Sequence, residues 1–336
     1  MRMHHFSWLS KTRLAVVFFL SLLLPFSLCS CEMHTISVQK KTSELPKEKK
    51  RRPRLIVLPL QPQKEQAYRG IGLGIHFLLG NIVVLNTDLK EFWFGWRVKK
   101  IFLEKENLRA YCHGVGPQLD FLRLGKEQDI RYWLEGRVYQ YENTLKVTLI
   151  LIDTKKDHKE QSPPLTLDLQ NHLINFRKGF LTWMETCDLP LTNTQAKKTL
   201  WPEKTNLKGL DALGRALKKY YLHSPWGEKG PIDLYWFNSA VSATPASYLA
   251  HNLKGWALYK NKDYGAAIAS FKSALRWNAH GLGAMAGLMW CAIYTNNEKE
   301  AYTWAIAKAD LRGDSRIEAK ARVKRVMNRI ARKNKE

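Results

Sequence analysis

Residues 251–279 read HNLKGWALYKNKDYGAAIASFKSALRWNA, and this stretch decides the fold of the C-terminal half. Its spacing predicts two antiparallel helices. Gly255, Ala267 and Ala274 are small where the helices come close, and Phe271 fills the groove between them. The pattern recurs at a fixed distance, which is the mark of a repeat array. Phe237, Ala240 and Pro245 stand one period before, and Leu288 and Ala301 hold matching places one period after. The first unit is irregular because HSPWGEKG (223–230) lengthens its inter-helix turn; the third has Ala305 where an aromatic side chain is expected. Ala279 stands where Pro245 stood one period earlier.

The pattern resembles the tetratricopeptide (TPR) repeat, with about three units, the usual minimum for a shared core. The resemblance implies a concave face built mainly from the first helix of each pair. Its expected positions are Asn252, Trp256, Tyr259 and Lys260 in the central unit, and Trp290 and Tyr294 in the third. Trp and Tyr bring large area with a polar handle, which suits an extended peptide or a helix as partner. Packing of the same Trp residues between repeats is the competing account. Asn252 sits where carboxylate-clamping repeats place Lys, and Trp256 where they place Asn, which argues against a C-terminal carboxylate as ligand. From Ser315 to Glu336 the chain is basic with a partial apolar stripe of Ile317, Val323, Val326, Met327 and Ile330. It reads as a helix that caps the array and leaves a charged outer face, a candidate for adsorption to anionic lipid or glycan.

Before the array, LIVLPL (55–60) and NIVVLN (81–86) read as strands flanking the helical KEQAYRGIGLGIHFLLG (64–80), a right-handed βαβ unit. PQLDFLRLGKEQ (117–128) reads as a helix, 129–141 and 144–153 as a hairpin, 163–169 as a further strand after a polar turn, and 169–187 as a closing helix. Alternation in KVTLILID (146–153) argues a half-buried sheet face. Gly70, Gly72 and Gly74 invite comparison with a dinucleotide fingerprint, but their G-x-G-x-G spacing is wrong for one, and helix packing explains them better. LIVLPL, GIGLGI and YWLEGRVYQYENTLKVTLILID, with Gly136, Ile152 and Asp153, together resemble the N-terminal domain of TolB and its relatives among envelope lipoproteins. That resemblance, over Arg54 to Leu189, implies a small mixed sheet with helices and partner binding rather than catalysis. The fold class is therefore α/β with a mixed sheet, followed by an all-α repeat domain.

At the N-terminus, Lys11 and Arg13 precede the apolar run Leu14–Leu28, a secretory signal pattern. The run is short for a spanning helix, which needs about 20 apolar residues. An uncleaved N-terminal anchor is the alternative. The following LCSC (28–31) resembles the bacterial lipobox, which implies lipidation of Cys31 and cleavage before it; Cys29, preceded by Leu28, fits poorly. The basic 32–54 stretch cannot bury enough apolar surface to order itself and reads as a tether.

The predicted organisation is a signal peptide over 1–30, a lipidated cysteine and basic flexible tether over 31–53, an α/β domain over 54–189, a linker over 190–206, repeats over 207–314 and a basic helix over 315–336. A formal charge of +24 raises polyanions as partners, but an exported chain meets little nucleic acid. Cys112, Cys187 and Cys291 show no metal-ligand spacing and allow at most one disulfide, and Cys112 beside His113 is read as structural rather than as a nucleophile with its base. There is no G-x-S-x-G or H-E-x-x-H sequence. His76 and His251 are read as structural.

The sequence thus predicts a non-enzymatic lipoprotein without a cofactor or metal. It would bind proteins or peptides through the groove and the α/β domain, serving as a scaffold or accessory subunit of an envelope complex. A non-catalytic binder of an anionic envelope polymer such as peptidoglycan is the alternative. The expected location is the periplasmic face of the envelope, with Glu32 after the lipidated cysteine favouring the outer over the inner membrane.

Overall fold

The computed structural model describes residues 52–62, 70–87, 89–91, 94–141, 144–168, 174–187, 189, 204–223, 226 and 229–333. The signal-like segment, Cys31, nearly all of the tether, Trp93, Leu173 and most of the 190–206 connection lie outside them.

The mixed sheet is built from β1 (Arg54–Val57), β2 (Gln61–Pro62), β3 (Lys90–Glu91), β4 (Tyr132–Tyr141), β5 (Thr144–Asp153), β6 (His158–Gln161) and β7 (Leu165–Asp168). β1 runs parallel to both β3 and β4, and β2 continues along the same side of β4. β4 and β5 form a long antiparallel hairpin, in register from Tyr132↔Asp153 to Tyr141↔Thr144. The far side of β5 is shared by β6 and β7, both antiparallel to it. In β5, Leu145, Val147 and Leu149 are buried while Lys146 is exposed, so the alternation read from KVTLILID places one face in the core.

Two readings of this region need correction. NIVVLN is not a strand: α1 (Ile71–Asn86) runs through it. Its β-branched residues favour a strand locally, but Ile82 and Val83 continue the buried side of the helix, and the Asn81 and Asn86 amides donate to the Phe77 and Ile82 carbonyls one turn back. The parallel strand that completes the βαβ unit is the short β3 instead. The polar stretch 154–162 is likewise more than a turn, because β6 within it pairs Ile150↔Gln161 to Asp153↔His158. After β3 come a 3-10 turn (Phe94–Trp96), α2 (Val98–Phe102), α3 (Lys105–Cys112) and α4 (Phe121–Gln128); α5 (Ile174–Thr186) follows β7 and buries Phe176, Phe180 and Met184.

Among its described residues the C-terminal stretch forms helices joined by turns: α6 (Leu207–His223), α7 (Tyr235–Ala243), α8 (Tyr248–Lys260), α9 (Tyr264–Trp277), α10 (Leu282–Tyr294), α11 (Glu298–Arg312) and α12 (Arg316–Lys333). The step from the start of α8 at Tyr248 to that of α10 at Leu282 equals the step from α9 at Tyr264 to α11 at Glu298, so the helical pair recurs as a unit. The turns repeat too. Lys262 and Asn296 both take positive φ, and the next residues, Asp263 and Asn297, cap α9 and α11 by accepting from Ala266 N at 3.0 Å and Glu300 N at 3.1 Å. Each such cap contributes about 1 kcal/mol. Phe271, fully buried, fills the space left by Gly255 and Gly287: a Cβ on either glycine would lie 2.6 Å or 2.2 Å from its ring.

The sheet region and the helical stretch share one continuous core running from Leu55 to Cys291. The glycines of GIGLG explain how. Gly70 and Gly74 lie backbone to backbone against Asp211 and Leu210 of α6, and Gly214 of α6 lies on the Gly70 carbonyl, where an added Cβ would stand 1.7 Å from the oxygen. Gly70 N also donates to the buried Asp211 carboxylate at 2.6 Å, and His76 Nε2 meets the Tyr221 hydroxyl at 2.8 Å. A second contact joins the end of α11 to the sheet region. Arg312 reaches the Val84 and Leu89 carbonyls at 3.4 Å each, while Arg52 donates to the Arg312 carbonyl at 2.7 Å and pairs with Asp314 at 3.4 Å. Among the described residues, no helix is long and apolar enough to cross a membrane.

Candidate functional site

The candidate partner surface is built on α8 and α10, which the repeat places in equivalent roles. Trp256 and Tyr259 lie one turn apart on α8, with their rings edge-on at 5.5 Å. Tyr259 meets Tyr294 of α10 at 5.8 Å, and Tyr294 meets Trp290 at 6.4 Å. Four of the six residues read from the sequence therefore form one array of rings across two helices. Trp256 is anchored beneath by Phe271, edge-on at 5.4 Å. Each such pair contributes about 0.5–1.5 kcal/mol beyond area burial, so the array is held in place before any partner arrives.

The other two residues stand apart from the rings. Asn252 is buried, 3% exposed, and its Oδ1 accepts no hydrogen bond from the described residues. It lies against Gly283 of α10, where an added Cβ would be 2.9 Å from its amide nitrogen. Lys260 is exposed at the C-terminal end of α8. Its charge there complements the carbonyl end of the helix.

Sequence reasoning missed Tyr264. It stacks on Tyr294 with ring centroids 5.7 Å apart and planes at 17°, and it meets Tyr259 at 5.8 Å. Tyr264 opens the second helix of its pair, and Glu298 holds the equivalent place one period later. Neither the first-helix rule nor the repeat could single it out. Burial, and then the neighbouring Tyr294 hydroxyl, push the Tyr259 phenol well above its ordinary pKa. Tyr259 therefore keeps its proton at neutral pH. Tyr294 is 46% exposed and is the open end of the array.

Cys112, Cys291 and His76 are not poised as nucleophile or base. Burial pushes the Cys112 and Cys291 thiols up to about 12, where the reactive thiolate is scarce at neutral pH. His113, next to Cys112, directs Nε2 at Lys218 Nζ, 3.0 Å away. Burial lowers His76 to about 3, far from the range of a working base. Cys112 and Cys291 are not joined in a disulfide, and among the described residues no group of three His, Cys, Asp or Glu could hold a metal ion.

No protein-family model matches the chain. It is 26% identical over 153 residues to the Ras-related protein RabF1 of Dictyostelium discoideum, a stretch covering 40% of this chain and 78% of that protein. The chain contains no G-x-x-x-x-G-K-[ST] phosphate-cradling sequence.

Proposed function

We propose that this chain is a lipid-anchored envelope protein whose TPR-type array and TolB-like α/β region bind other proteins, as a scaffold or accessory subunit and without catalysis. The observation that carries the reading is the ring array of Trp256, Tyr259, Tyr264, Trp290 and Tyr294, preorganised on α8, α9 and α10 and open at Tyr294. Large, stiff aromatic side chains with polar edges lose little entropy on binding and dominate the energetics of protein interfaces. The repeat of helix starts, turn residues and caps supports the TPR-type assignment, and the parallel β3-β1-β4 arrangement beside the β4–β5 hairpin supports the TolB-like one. The lipobox-like LCSC supports the anchor.

Two experiments test this reading. Metabolic labelling with a lipid precursor should mark the wild type and leave Cys31→Ser unlabelled; equal label in both removes the anchor. Crosslinking in intact cells should yield a defined adduct that a Trp256→Ala, Trp290→Ala chain loses. An unchanged adduct pattern removes the array as the binding surface.

A further inference from the structure

The last helix carries a surface that the protein-binding reading does not use. α12 buries its apolar stripe apart from Ile317, which the structure leaves exposed: Val323 is 2% exposed, and Ala319, Val326, Met327 and Ile330 pack with it against Ala292, Ile293, Ala301 and Ala305 of α10 and α11. What remains outward is cationic. Arg322, Arg325, Arg329 and Arg332 are all exposed, and at about 100° per residue they fall within an arc of about 80°, a stripe about 15 Å long. Glu318 is the helix's one acidic residue. The acidic groups of α11 are engaged elsewhere: Asp310 with Arg316, Glu300 with Trp304 and Glu298 with Tyr302. Asp314, just beyond α11, pairs with Arg52.

Arg52 also indicates what this face meets. It is the first described residue of the basic tether, and it is fixed to the Arg312 carbonyl and to Asp314, immediately before α12 begins. The tether thus joins the fold beside the N-terminus of the cationic helix. A tether that leads to a membrane therefore leaves the fold from beside α12. Ile317, 81% exposed on the outward side, is placed to enter the boundary between headgroups and acyl chains. α12 contains no aromatic residue on which nucleic-acid bases could stack, unlike sequence-tolerant single-strand binders.

We propose that α12 is a membrane-docking helix, whose arginine stripe binds the phosphates of anionic lipids and holds the ring array at a set orientation to the surface. Guanidinium groups suit phosphodiesters because they donate two parallel hydrogen bonds to one phosphate. The proposal rests on the membrane-anchored reading for its orientation, but its test does not need the anchor. A chain beginning at Glu32 has neither the apolar run nor Cys31, and it keeps the whole core from Leu55 to Val323.

That chain is titrated with vesicles of phosphatidylcholine alone and of phosphatidylcholine mixed with phosphatidylglycerol. Binding should require the anionic lipid. It should weaken at least tenfold between roughly 0.1 M and 1 M salt, where the screening length shrinks from about 10 Å to about 3 Å. Arg325→Glu, Arg329→Glu, Arg332→Glu should lose at least tenfold in affinity, whereas Lys156→Glu, Lys219→Glu, Lys272→Glu, with the same change of charge at exposed sites elsewhere, should lose less than threefold. Ile317→Ser, which alters no charge, should weaken binding severalfold and guards against a misfolded triple variant. Equal binding to neutral vesicles, an α12 variant no weaker than its control, or a single-stranded oligonucleotide bound at least tenfold more tightly than the anionic vesicles overturns the proposal. Failure of Cys31 labelling in cells would leave these outcomes unchanged, so the two readings fail separately.

Discussion

Replacing Gly214 with alanine should separate the sheet region from the helical stretch. The added Cβ would stand 1.7 Å from the Gly70 carbonyl oxygen, 2.5 Å from its carbon and 2.9 Å from Gly70 Cα, all backbone atoms that cannot rotate away. Restoring ordinary contact requires α1 and α6 to part by about 1.5 Å in an interior packed like a crystal. Overpacking of this kind costs about 1–3 kcal/mol. The same movement lengthens the 2.6 Å bond from Gly70 N to the buried Asp211 carboxylate, a bond to a charged group that contributes about 1.5–3 kcal/mol. Against this, alanine is the better helix former by about 1 kcal/mol. The net expectation is a loss of about 2–4 kcal/mol, read as a lower urea midpoint for the chain beginning at Glu32. Gly265→Ala in α9 is the control, since its nearest neighbour would be 3.9 Å away, and it should be neutral or slightly stabilising. If Gly214→Ala and Gly265→Ala unfold at the same midpoint, the backbone-to-backbone crossing is wrong.

Two further predictions concern the core. Phe271→Ala empties the fully buried site between Gly255 and Gly287, with no side chain on either glycine to refill it, and should cost about 3–5 kcal/mol by chemical denaturation. His76 has a folded-state pKa of about 3, below its unfolded value of about 6.5, so at intermediate pH the unfolded chain binds a proton that the folded chain does not. Stability should therefore fall as pH drops below about 6.5, with His76 contributing about 1.4 kcal/mol of the loss between about pH 7.5 and about pH 5.5. Urea melts at the two pH values should show a correspondingly shallower decline for His76→Gln.

The repeats were legible because their chemistry is local and periodic. Gly255, Ala267, Phe271 and Ala274 meet one another within one helical pair, and the recurrence shows in the spacing alone. The β4–β5 hairpin was legible for the same reason, since its partners adjoin in sequence. What failed to show depended on distant residues. NIVVLN has the composition of a strand, and its burial in the shared core makes it the end of a helix. The glycines of GIGLG signalled close packing but could not name α6, far along the chain, as the partner. At the candidate site, first-helix positions pointed to Trp256, Tyr259, Trp290 and Tyr294, while Tyr264 joins them only because the hairpin turn folds α9 back beside α10. The cationic face of α12 was visible as composition; its place beside the tether rests on the long-range contacts of Arg52.

In the proposed function a partner binds the ring array at a membrane. The most direct measurement is photocrosslinking in intact cells with a reactive side chain at the position of Tyr294, the exposed end of the array, and separately at Lys272, exposed on α9. Position 294 should yield one discrete adduct, and position 272 none at the same mass. Identical adducts from both positions, or no adduct from 294, would contradict the claim.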